Sequence, residues 1–492
     1  MTKPQQARFN SRYILTPLLA ALALSACGGS DNNNEPEAKR PQDSRTFSPV
    51  VPTLNALADA PGTPAVPETD RWVGVNKGAS YAIEVPKNWN GMLVMYAHGY
   101  AGTGPNLIAQ TPALRRHLIS QGYAWAASSY SSNYYDVRAG VEDTNALALA
   151  FNDIARANGR ALPAPSKTYI FGVSMGGHIT AAAIDEENIA TANNKVRYNG
   201  AVPMCGVLGD TELFDYFTAY QLAAQKEAGI PATSWPVANW AEIQPQVQSR
   251  LFSSFPTAAT PTAAAVPTAQ GQQLKTIVQN LTGGARPLFD VGYAGPLQST
   301  VWGTFGSDGT ITGILNERVV STLDTVYQLD NNPAVSPAER AYTDSMLKVS
   351  PVADANRLRT DGLRWVPKTN ALISVPVVTI HTLGDMYVPF SMEQIYKRRA
   401  DRAGTSSFLV QRAIRGVGHC DFTVAEQKAA FDAMTTWEQK GIKPAGDDVL
   451  TPATVADPKY GCKFTDNTLT VDDTSASTRA SRTNTAIIPS CS

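Results

Sequence analysis

The sequence predicts an α/β protein built on a doubly wound, mostly parallel sheet. Apolar runs of strand length alternate with segments of helical periodicity, which is typical of a parallel sheet covered by helices on both faces. The alternation extends over residues 69–206, stops, and resumes over residues 373–441. Residues 207–372 are therefore predicted to be an insertion within one catalytic domain, placed before the last two strands.

Each predicted element follows from a local pattern. Polar and apolar residues alternate over 71–75 and 81–85, which predicts two half-buried strands joined by a turn at Lys77-Gly78. Residues 92–96 are continuously apolar, as in a strand buried on both faces. The other predicted strands are 124–128, 168–171, 200–204, 375–380 and 408–414, and the predicted helices are 112–121, 138–158, 175–184, 389–402 and 424–440.

The N-terminal segment has the order of a secretion signal. Basic residues at positions 3, 8 and 12 precede an apolar run over residues 13–24. Residues 24–27, which read LSAC, resemble the lipobox of bacterial lipoproteins, and this resemblance implies cleavage after residue 26 and acylation of Cys27. We expect 1–26 to be a lipoprotein signal peptide, 27–68 a flexible tether, and the mature protein to be exported to the outer membrane, periplasm or cell surface, with a lipid anchor in the membrane.

Charge and cysteine content limit the partners. The chain has 41 basic and 42 acidic residues, a balance that gives no indication of nucleic-acid binding. The spacing of its histidines and cysteines does not indicate a metal site, and no cofactor is predicted. Four cysteines follow Cys27, which predicts one or two disulfides in an oxidising compartment and leaves three full pairings open: Cys205, Cys420, Cys462 and Cys491. The polar residues 442–492 are predicted to form a C-terminal extension that wraps the surface.

A candidate nucleophile lies between a predicted strand and a predicted helix. Residues 172–176 read GVSMG and fit the pattern G-x-S-x-G, with Ser174 at its centre. A serine on a very sharp turn needs neighbours without side chains so that its Oγ stands clear. The alternative is a turn whose glycines serve packing alone, but the flanking strand and helix favour the nucleophile.

A nucleophilic serine needs a general base, and the chain has five histidines. His419 lies in a glycine-rich loop between the last predicted strand and the last predicted helix, and we predict that it is the base. The other four are expected to be solvated (His117), packed behind the serine (His178), close to the acid (His381) or part of the loop beside the serine (His98).

The acid of the site must hold the imidazole from a loop at the same edge of the sheet. Asp385 follows the strand that precedes the histidine strand, and it is the predicted acid. Asp210, which follows the strand 200–204, is the alternative. A third interpretation treats Asp385 only as a carboxylate that leads into a helix.

These motifs together resemble the α/β-hydrolase superfamily over residues 70–206 and 373–440. Residues 81–91 leading into His98-Gly99-Tyr100 are similar to secreted bacterial esterases and prolyl-oligopeptidase-like hydrolases. The resemblance implies the chain order serine, acid, histidine and an oxyanion hole built from the backbone N–H groups of Met175 and Tyr100. The insertion 207–372 is expected to cover the active-site edge as a cap.

The pair His419-Cys420 is also similar to tannases and feruloyl esterases, in which a cysteine beside the catalytic histidine pairs with one beside the serine. Val173 occupies the position before Ser174 here, so that bridge is absent. Cys205, at a neighbouring strand end, is the candidate substitute.

The predicted function is hydrolysis of carboxylic esters, small or oligomeric, through an acyl-enzyme on Ser174. A serine peptidase of the prolyl-oligopeptidase type is the first alternative, because the same triad cleaves amides, although no charged cluster is clearly placed to hold a peptide terminus. A non-catalytic surface binding protein on a hydrolase fold is the second.

Overall fold

The computed structural model describes residues 37–257, 259–260, 262–307, 310, 313–315, 317–489 and 491. The predicted signal peptide, the lipidation site Cys27 and the first part of the predicted tether lie outside these residues. Within the described ranges, no helix is long and apolar enough to cross a membrane.

Eight strands form one central sheet, and four short strands form two small two-stranded sheets. In chain order the described strands are β1 (Ser48–Pro49), β2 (Thr69–Asn76), β3 (Ala79–Pro86), β4 (Met92–Ala97), β5 (Asn106–Leu107), β6 (Ala124–Ser128), β7 (Lys167–Val173), β8 (Gly200–Met204), β9 (Phe252–Ser254), β10 (Val266–Pro267), β11 (Val377–Thr382) and β12 (Leu409–Ile414). The central sheet has the order β2-β3-β6-β4-β7-β8-β11-β12.

This order defines the fold. Strand β3 is antiparallel to both of its neighbours. All neighbouring strands in the series β6-β4-β7-β8-β11-β12 are parallel to each other. Renumbered within the sheet, the strands run 1-2-4-3-5-6-7-8 with the second reversed, which is the arrangement of the α/β-hydrolase fold. The predicted fold class is thus confirmed, and the sequence GVSMG begins at the end of the fifth strand of the sheet, β7.

Helices cover both faces of the sheet. They are α1 (Arg115–Ser120), α2 (Val137–Ala157), α3 (Met175–Ala183), α4 (Glu186–Thr191), α5 (Glu212–Glu227), α6 (Trp240–Leu251), α7 (Ala269–Leu281), α8 (Phe289–Ala294), α9 (Leu297–Trp302), α10 (Pro337–Asp344), α11 (Ser391–Ala403), α12 (Val424–Lys440), α13 (Pro452–Val455) and α14 (Ala476–Arg482). Apolar residues of α2, α3 and α11 join one buried cluster, and those of α1 and α12 join a second. A sheet buried in this way explains why its strands read as continuous apolar runs.

Helices α5 to α10 belong to the segment between β8 and β11, where the sequence predicts an insertion. Most large aromatic residues of this segment are buried in the same apolar cluster as α2, α3 and α11: Phe214, Tyr216, Phe217, Tyr220, Trp240, Phe252, Phe289, Tyr293, Trp302, Phe305 and Tyr327. The insertion shares that core with one face of the catalytic domain.

The expected flexible tether is wrong for its later part. Arg40 is buried and its guanidinium lies 2.6 Å from the carboxylate of Asp136. Gln42 is buried as well and donates to the carbonyl of Asn133, and β1 pairs with β5. Asparagine, proline and threonine gave this segment the composition of a linker, but long-range ion pairs and hydrogen bonds fix it to the sheet domain.

The C-terminal extension is held to the body by buried polar contacts. Arg482 of α14 forms an ion pair with Glu426 of α12, and both side chains are fully buried. Asp447 accepts a hydrogen bond from the backbone N–H of Ala413 at the sheet edge. A disulfide between Cys462 and Cys491 closes this segment on itself.

Candidate active site

Ser174 sits on the turn between β7 and α3. Its backbone has φ 59° and ψ −123°, a conformation that is unfavourable for any residue with a side chain. A Cβ added to Gly176 would lie 2.0 Å from the carbonyl oxygen of Ala97, and one added to Gly172 would lie 2.3 Å from the carbonyl oxygen of Gly176. The glycines of the motif therefore permit the close approach of strand, turn and helix that exposes the serine.

Three side chains meet at this turn. The Oγ of Ser174 lies 2.7 Å from Nε2 of His419, and Nδ1 of the same imidazole lies 2.6 Å from Oδ2 of Asp385. The three residues follow β7, β12 and β11, so their loops share the carboxyl edge of the sheet. The structure thus brings together the predicted nucleophile, base and acid in one hydrogen-bonded series.

Asp385 is fully buried, yet both of its carboxylate oxygens have partners. Oδ1 accepts hydrogen bonds from the backbone N–H groups of Tyr387 and Val388 at 2.9 and 3.0 Å, and Oδ2 faces His419. A buried carboxylate without such donors would be strongly disfavoured. The tight turn after β11 therefore fixes the acid in a single orientation toward the imidazole.

The alternative acid, Asp210, is engaged elsewhere. Its carboxylate lies 2.6 Å from a guanidinium nitrogen of Arg399 and accepts a hydrogen bond from the backbone N–H of Thr369. Burial opposes its ionisation, but the charge and hydrogen bond of Arg399, with smaller contributions from His178 and Thr369, together outweigh burial and lower the pKa of Asp210. Asp210 stabilises the junction between the insertion and α11 rather than contacting His419.

A disulfide joins Cys205, directly after β8, to Cys420, directly after His419. The backbone N–H of Ser174 points at Sγ of Cys205, 3.3 Å away, and Sγ of Cys420 lies 3.5 Å from Nε2 of His419. Val173 is paired in register with Met204, so the residue after Met204 lies beside the serine although it is distant in sequence. Cys205 thus supplies the bridge that Val173 cannot.

The loop after β4 lies against the nucleophile. A Cβ added to Gly99 would come within 3.3 Å of Cβ and 3.8 Å of Oγ of Ser174. The ring of His98 is buried and stacks on Tyr130, and burial lowers its pKa, so it supports this loop as a neutral group. Tyr100 follows Gly99 in this loop, and Met175 follows Ser174 at the start of α3; these are the two residues expected to supply the oxyanion donors.

The remaining histidines have structural partners. His117 was expected to be solvated, but its ring is only 10% exposed and lies 2.6 Å from a carboxylate oxygen of Asp432. His178 is buried, with its two ring nitrogens near the hydroxyl of Tyr135 and the carbonyl of Pro367. The interpretation of His117 overlooked α12, which brings Asp432 across from a distant part of the chain.

The sequence did not identify two residues of the insertion that hydrogen-bond to the loop around Asp385, here called the acid loop. Arg286 is buried and donates from Nε to the carbonyl of Leu383 at 2.8 Å, and the hydroxyl of Tyr216 donates to the carbonyl of Met386 at 2.9 Å. Both acceptors flank Asp385. Neither residue belongs to a motif, and only the docking of the insertion places them there.

An aromatic wall adjoins the base. The ring of Tyr387 packs edge-on against the imidazole of His419, with centroids 5.6 Å apart. The same ring also packs against the ring of Phe217, which belongs to the insertion. Tyr387 is partly exposed, unlike the acid that precedes it. The insertion therefore contributes to the surroundings of the base as well as to the acid loop.

Among the described residues, one group of three side chains has the proximity of a metal site: the sulfur atoms of Cys205 and Cys420 and a ring nitrogen of His419 lie within 4.8 Å of one another. The two sulfurs are bonded to each other and offer no thiolate. This group therefore does not fit a metal ion while the disulfide is intact.

Comparisons with known proteins find distant similarity. No family model matches the chain. An o-phthalyl amidase of Xanthobacter agilis is 22% identical over 411 residues, which cover 73% of this chain and 84% of the relative. Feruloyl esterase B from Aspergillus oryzae has 14% identity and a TM-score of 0.40, covering 76% of this chain and 81% of its own. Tannin acyl hydrolase from Aspergillus niger has 11% identity and a TM-score of 0.40, covering 80% and 83%.

Proposed function

We propose that this chain, whose fold is that of the α/β-hydrolases, is a serine hydrolase that cleaves carboxylic esters through an acyl-enzyme on Ser174. The observation that carries the proposal is the pair of contacts at His419, 2.7 Å to the serine oxygen and 2.6 Å to the carboxylate of Asp385. A nucleophile, a base and an orienting acid in this series activate a hydroxyl that is otherwise a weak nucleophile at neutral pH.

In the acylation step, Oγ of Ser174 attacks the carbonyl carbon of the ester while Nε2 of His419 takes the hydroxyl proton. Asp385 holds Nδ1 and stabilises the imidazolium that forms. Collapse of the tetrahedral intermediate breaks the bond to the leaving alcohol, which receives the proton from His419. Water then repeats the sequence on the acyl-enzyme and releases the acid.

The negative charge on the tetrahedral intermediate needs preset donors. The backbone N–H of Met175, at the N-terminus of α3, and that of Tyr100, in the loop that touches Ser174, are the proposed pair. The close approach of Gly99 to the serine supports this assignment, because a side chain there would occupy the space that the substrate oxygen needs.

Amide hydrolysis is the second candidate activity, because the curated relative is named an amidase. The catalytic groups serve both bonds, since they attack the carbonyl carbon in either case. The leaving group distinguishes them: an amine must receive a proton before it departs, so the orientation of His419 toward it matters more.

We also propose that the protein is exported as a lipoprotein anchored through Cys27. The N-terminal residue pattern supports this proposal, and the two disulfides fit an oxidising compartment. Metabolic labelling with a fatty acid tests it: wild-type protein incorporates the label and Cys27→Ala does not. Equal labelling of both proteins would contradict the proposal.

Hydrolysis of matched substrates tests the activity. The purified protein and Ser174→Ala are compared on p-nitrophenyl acetate and butyrate and on the corresponding p-nitroanilides. We expect ester turnover that falls by at least about a thousandfold in Ser174→Ala. Faster cleavage of the anilides would favour the amidase or peptidase, and equal low rates in both proteins would favour a binding protein that lacks catalysis.

A further inference from the structure

A second buried histidine and glutamate lie directly behind the acid. His381, on β11, and Glu393, on α11, are both buried, and Nδ1 of the imidazole faces Oε1 of the carboxylate at 3.4 Å. The other ring nitrogen, Nε2, lies 2.8 Å from the carbonyl oxygen of Val388 and 4.0 Å from Oδ2 of Asp385. The proposed triad therefore continues inward to a second histidine and carboxylate.

The chemistry of the contacts limits the protonation of this pair. A carbonyl oxygen only accepts hydrogen bonds, so Nε2 of His381 must carry a proton to bond to Val388. Nδ1 then either carries a second proton or turns its lone pair toward Glu393. Nδ1 and Oε1 form no aligned hydrogen bond, but two buried lone pairs 3.4 Å apart would repel one another, so the arrangement is favourable only when one of the two groups carries a proton.

Contacts of Glu393 favour placing that proton on the imidazole. Oε2 of the carboxylate accepts hydrogen bonds from the hydroxyl of Thr379, at 2.6 Å, and from the side-chain amide of Gln411. These donors stabilise the ionised carboxylate. Burial alone would lower the pKa of His381, but the hydrogen bond and charge of Glu393, together with the charge of Asp385, outweigh it and raise that pKa.

We propose that His381 is a positively charged positioning residue for the acid Asp385, held in place and charged by Glu393. Its N–H fixes the carbonyl of Val388, whose own N–H binds Asp385, so it shapes the turn that orients the carboxylate. Its positive charge lies behind that carboxylate, with Nε2 4.0 Å from Oδ2. This role rests on the proposed function of the triad.

The charge of His381 also acts on the base. A cation behind Asp385 partly cancels the field that this carboxylate exerts on the imidazole of His419. The charged groups that face His381 are Glu393 from α11 and Asp385 from its own loop. Arg286 of the insertion also acts on Asp385 and is retained when the pair is altered. Loss of the His381 charge is therefore expected to move the acidic limb of the pH profile of kcat/KM toward higher pH.

Glu393→Gln is the sharpest variant. The amide keeps the size of the side chain and can donate to Nδ1, which leaves His381 neutral with its bond to Val388 intact. The variant also removes the negative charge of Glu393, which faces the other ring nitrogen from Asp385, and this loss opposes part of the effect. We expect the acidic limb of the pH profile of kcat/KM to move upward by up to about half a pH unit. His381→Gln should move it in the same direction. His178→Gln removes a buried histidine that faces no carboxylate at hydrogen-bonding distance, and this control should lower stability without moving the limb.

Nuclear magnetic resonance of the wild-type protein gives a reading that requires neither variant to fold well. With 15N-labelled histidine, five side chains contribute signals, and the pair of signals assigned to His381 should have imidazolium shifts at pH 7. A neutral His381, or a limb that stays in place in both variants, would overturn the proposal. Failure of wild-type protein to react with a fluorophosphonate would instead refute the hydrolase function, so the two failures are distinguishable.

Discussion

A disulfide between Cys205 and Cys420 joins the end of β8 to the residue after His419. Sγ of Cys205 contacts the backbone N–H of Ser174, and Sγ of Cys420 contacts the imidazole of His419. The bridge spans 215 residues of sequence, so it links the nucleophile half of the sheet to the loop that carries the base. In a loop rich in glycine, this covalent tie restricts where His419 can lie. The second disulfide, between Cys462 and Cys491, lies in the C-terminal extension and offers a natural comparison.

Replacing Cys205 and Cys420 by serine should lower kcat by about tenfold or more, because the loop of His419 gains freedom relative to Ser174. The chain-entropy model gives a stability cost of roughly 5 kcal/mol for a loop of this length. Replacing Cys462 and Cys491, which are 29 residues apart, should cost roughly 3.6 kcal/mol and leave kcat nearly unchanged. Thermal unfolding and steady-state kinetics separate the two effects. An equal kcat in both double variants would show that the first bridge serves stability alone.

Gly176→Ala should prevent correct folding or reduce stability by about 3 kcal/mol or more, because its Cβ would lie 2.0 Å from a backbone oxygen of the neighbouring strand. Neither backbone can move without disturbing the sheet. Gly104→Ala is the control, since a Cβ there meets no atom within 4 Å. Soluble yield and thermal denaturation give the comparison. A Gly176→Ala protein as stable as the control would mean that the turn is looser than described.

Arg286→Met should lower kcat by about tenfold with a smaller change in KM, because the carbonyl of Leu383 loses its donor and the acid loop loses a contact to the insertion. Arg286→Lys should retain part of the activity, since an ammonium can still reach one carbonyl. Arg250→Met removes an exposed arginine of the same insertion that also bonds a carbonyl, and it should leave kcat intact. A loss of stability in Arg286→Met without any loss of kcat would contradict the prediction that Arg286 positions the acid loop for catalysis.

Asp185→Asn should weaken the dependence of stability on pH. Burial raises the pKa of Asp185 to about 7, above the value near 3.8 of an unfolded chain. Its protonated form therefore contributes stability below pH 3.8, and that contribution is lost as the pH rises through 7. The Tm of wild-type protein should fall relative to that of Asp185→Asn between pH 4 and pH 7.5. The exposed Asp153→Asn should show a constant difference from wild type, and a similarly constant difference for Asp185→Asn would contradict the prediction.

The parts of the molecule that the sequence could predict are those with a local pattern. Strand β8 was predicted at residues 200–204 and has those bounds, because a strand buried on both faces must be apolar throughout. Ser174 was identifiable because the sharp turn between β7 and α3 requires glycines two residues before and two residues after the serine. In each case the physical requirement acts on neighbouring residues and so leaves a mark in the sequence.

The parts that could not be predicted depend on contacts between distant segments. Asp385 and Asp210 both follow strand ends, and only the position of Arg399 shows that Asp210 has another partner. The sequence left three pairings of the four cysteines open. Cys205 pairs with Cys420 because the register of β7 against β8 places Cys205 beside Ser174 and the loop of His419. The segment around Arg40 has the composition of a linker, but the ion pair between Arg40 and the distant Asp136 fixes it to the sheet domain.

Reaction with a fluorophosphonate, followed by peptide mass spectrometry, tests whether Ser174 is a nucleophile activated by His419. We expect one added phosphonyl group on the peptide that contains Ser174. Labelling should disappear in Ser174→Ala and slow by at least about a hundredfold in His419→Ala. An unlabelled Ser174 in a folded protein that hydrolyses esters, or a label on another serine, would contradict the assignment.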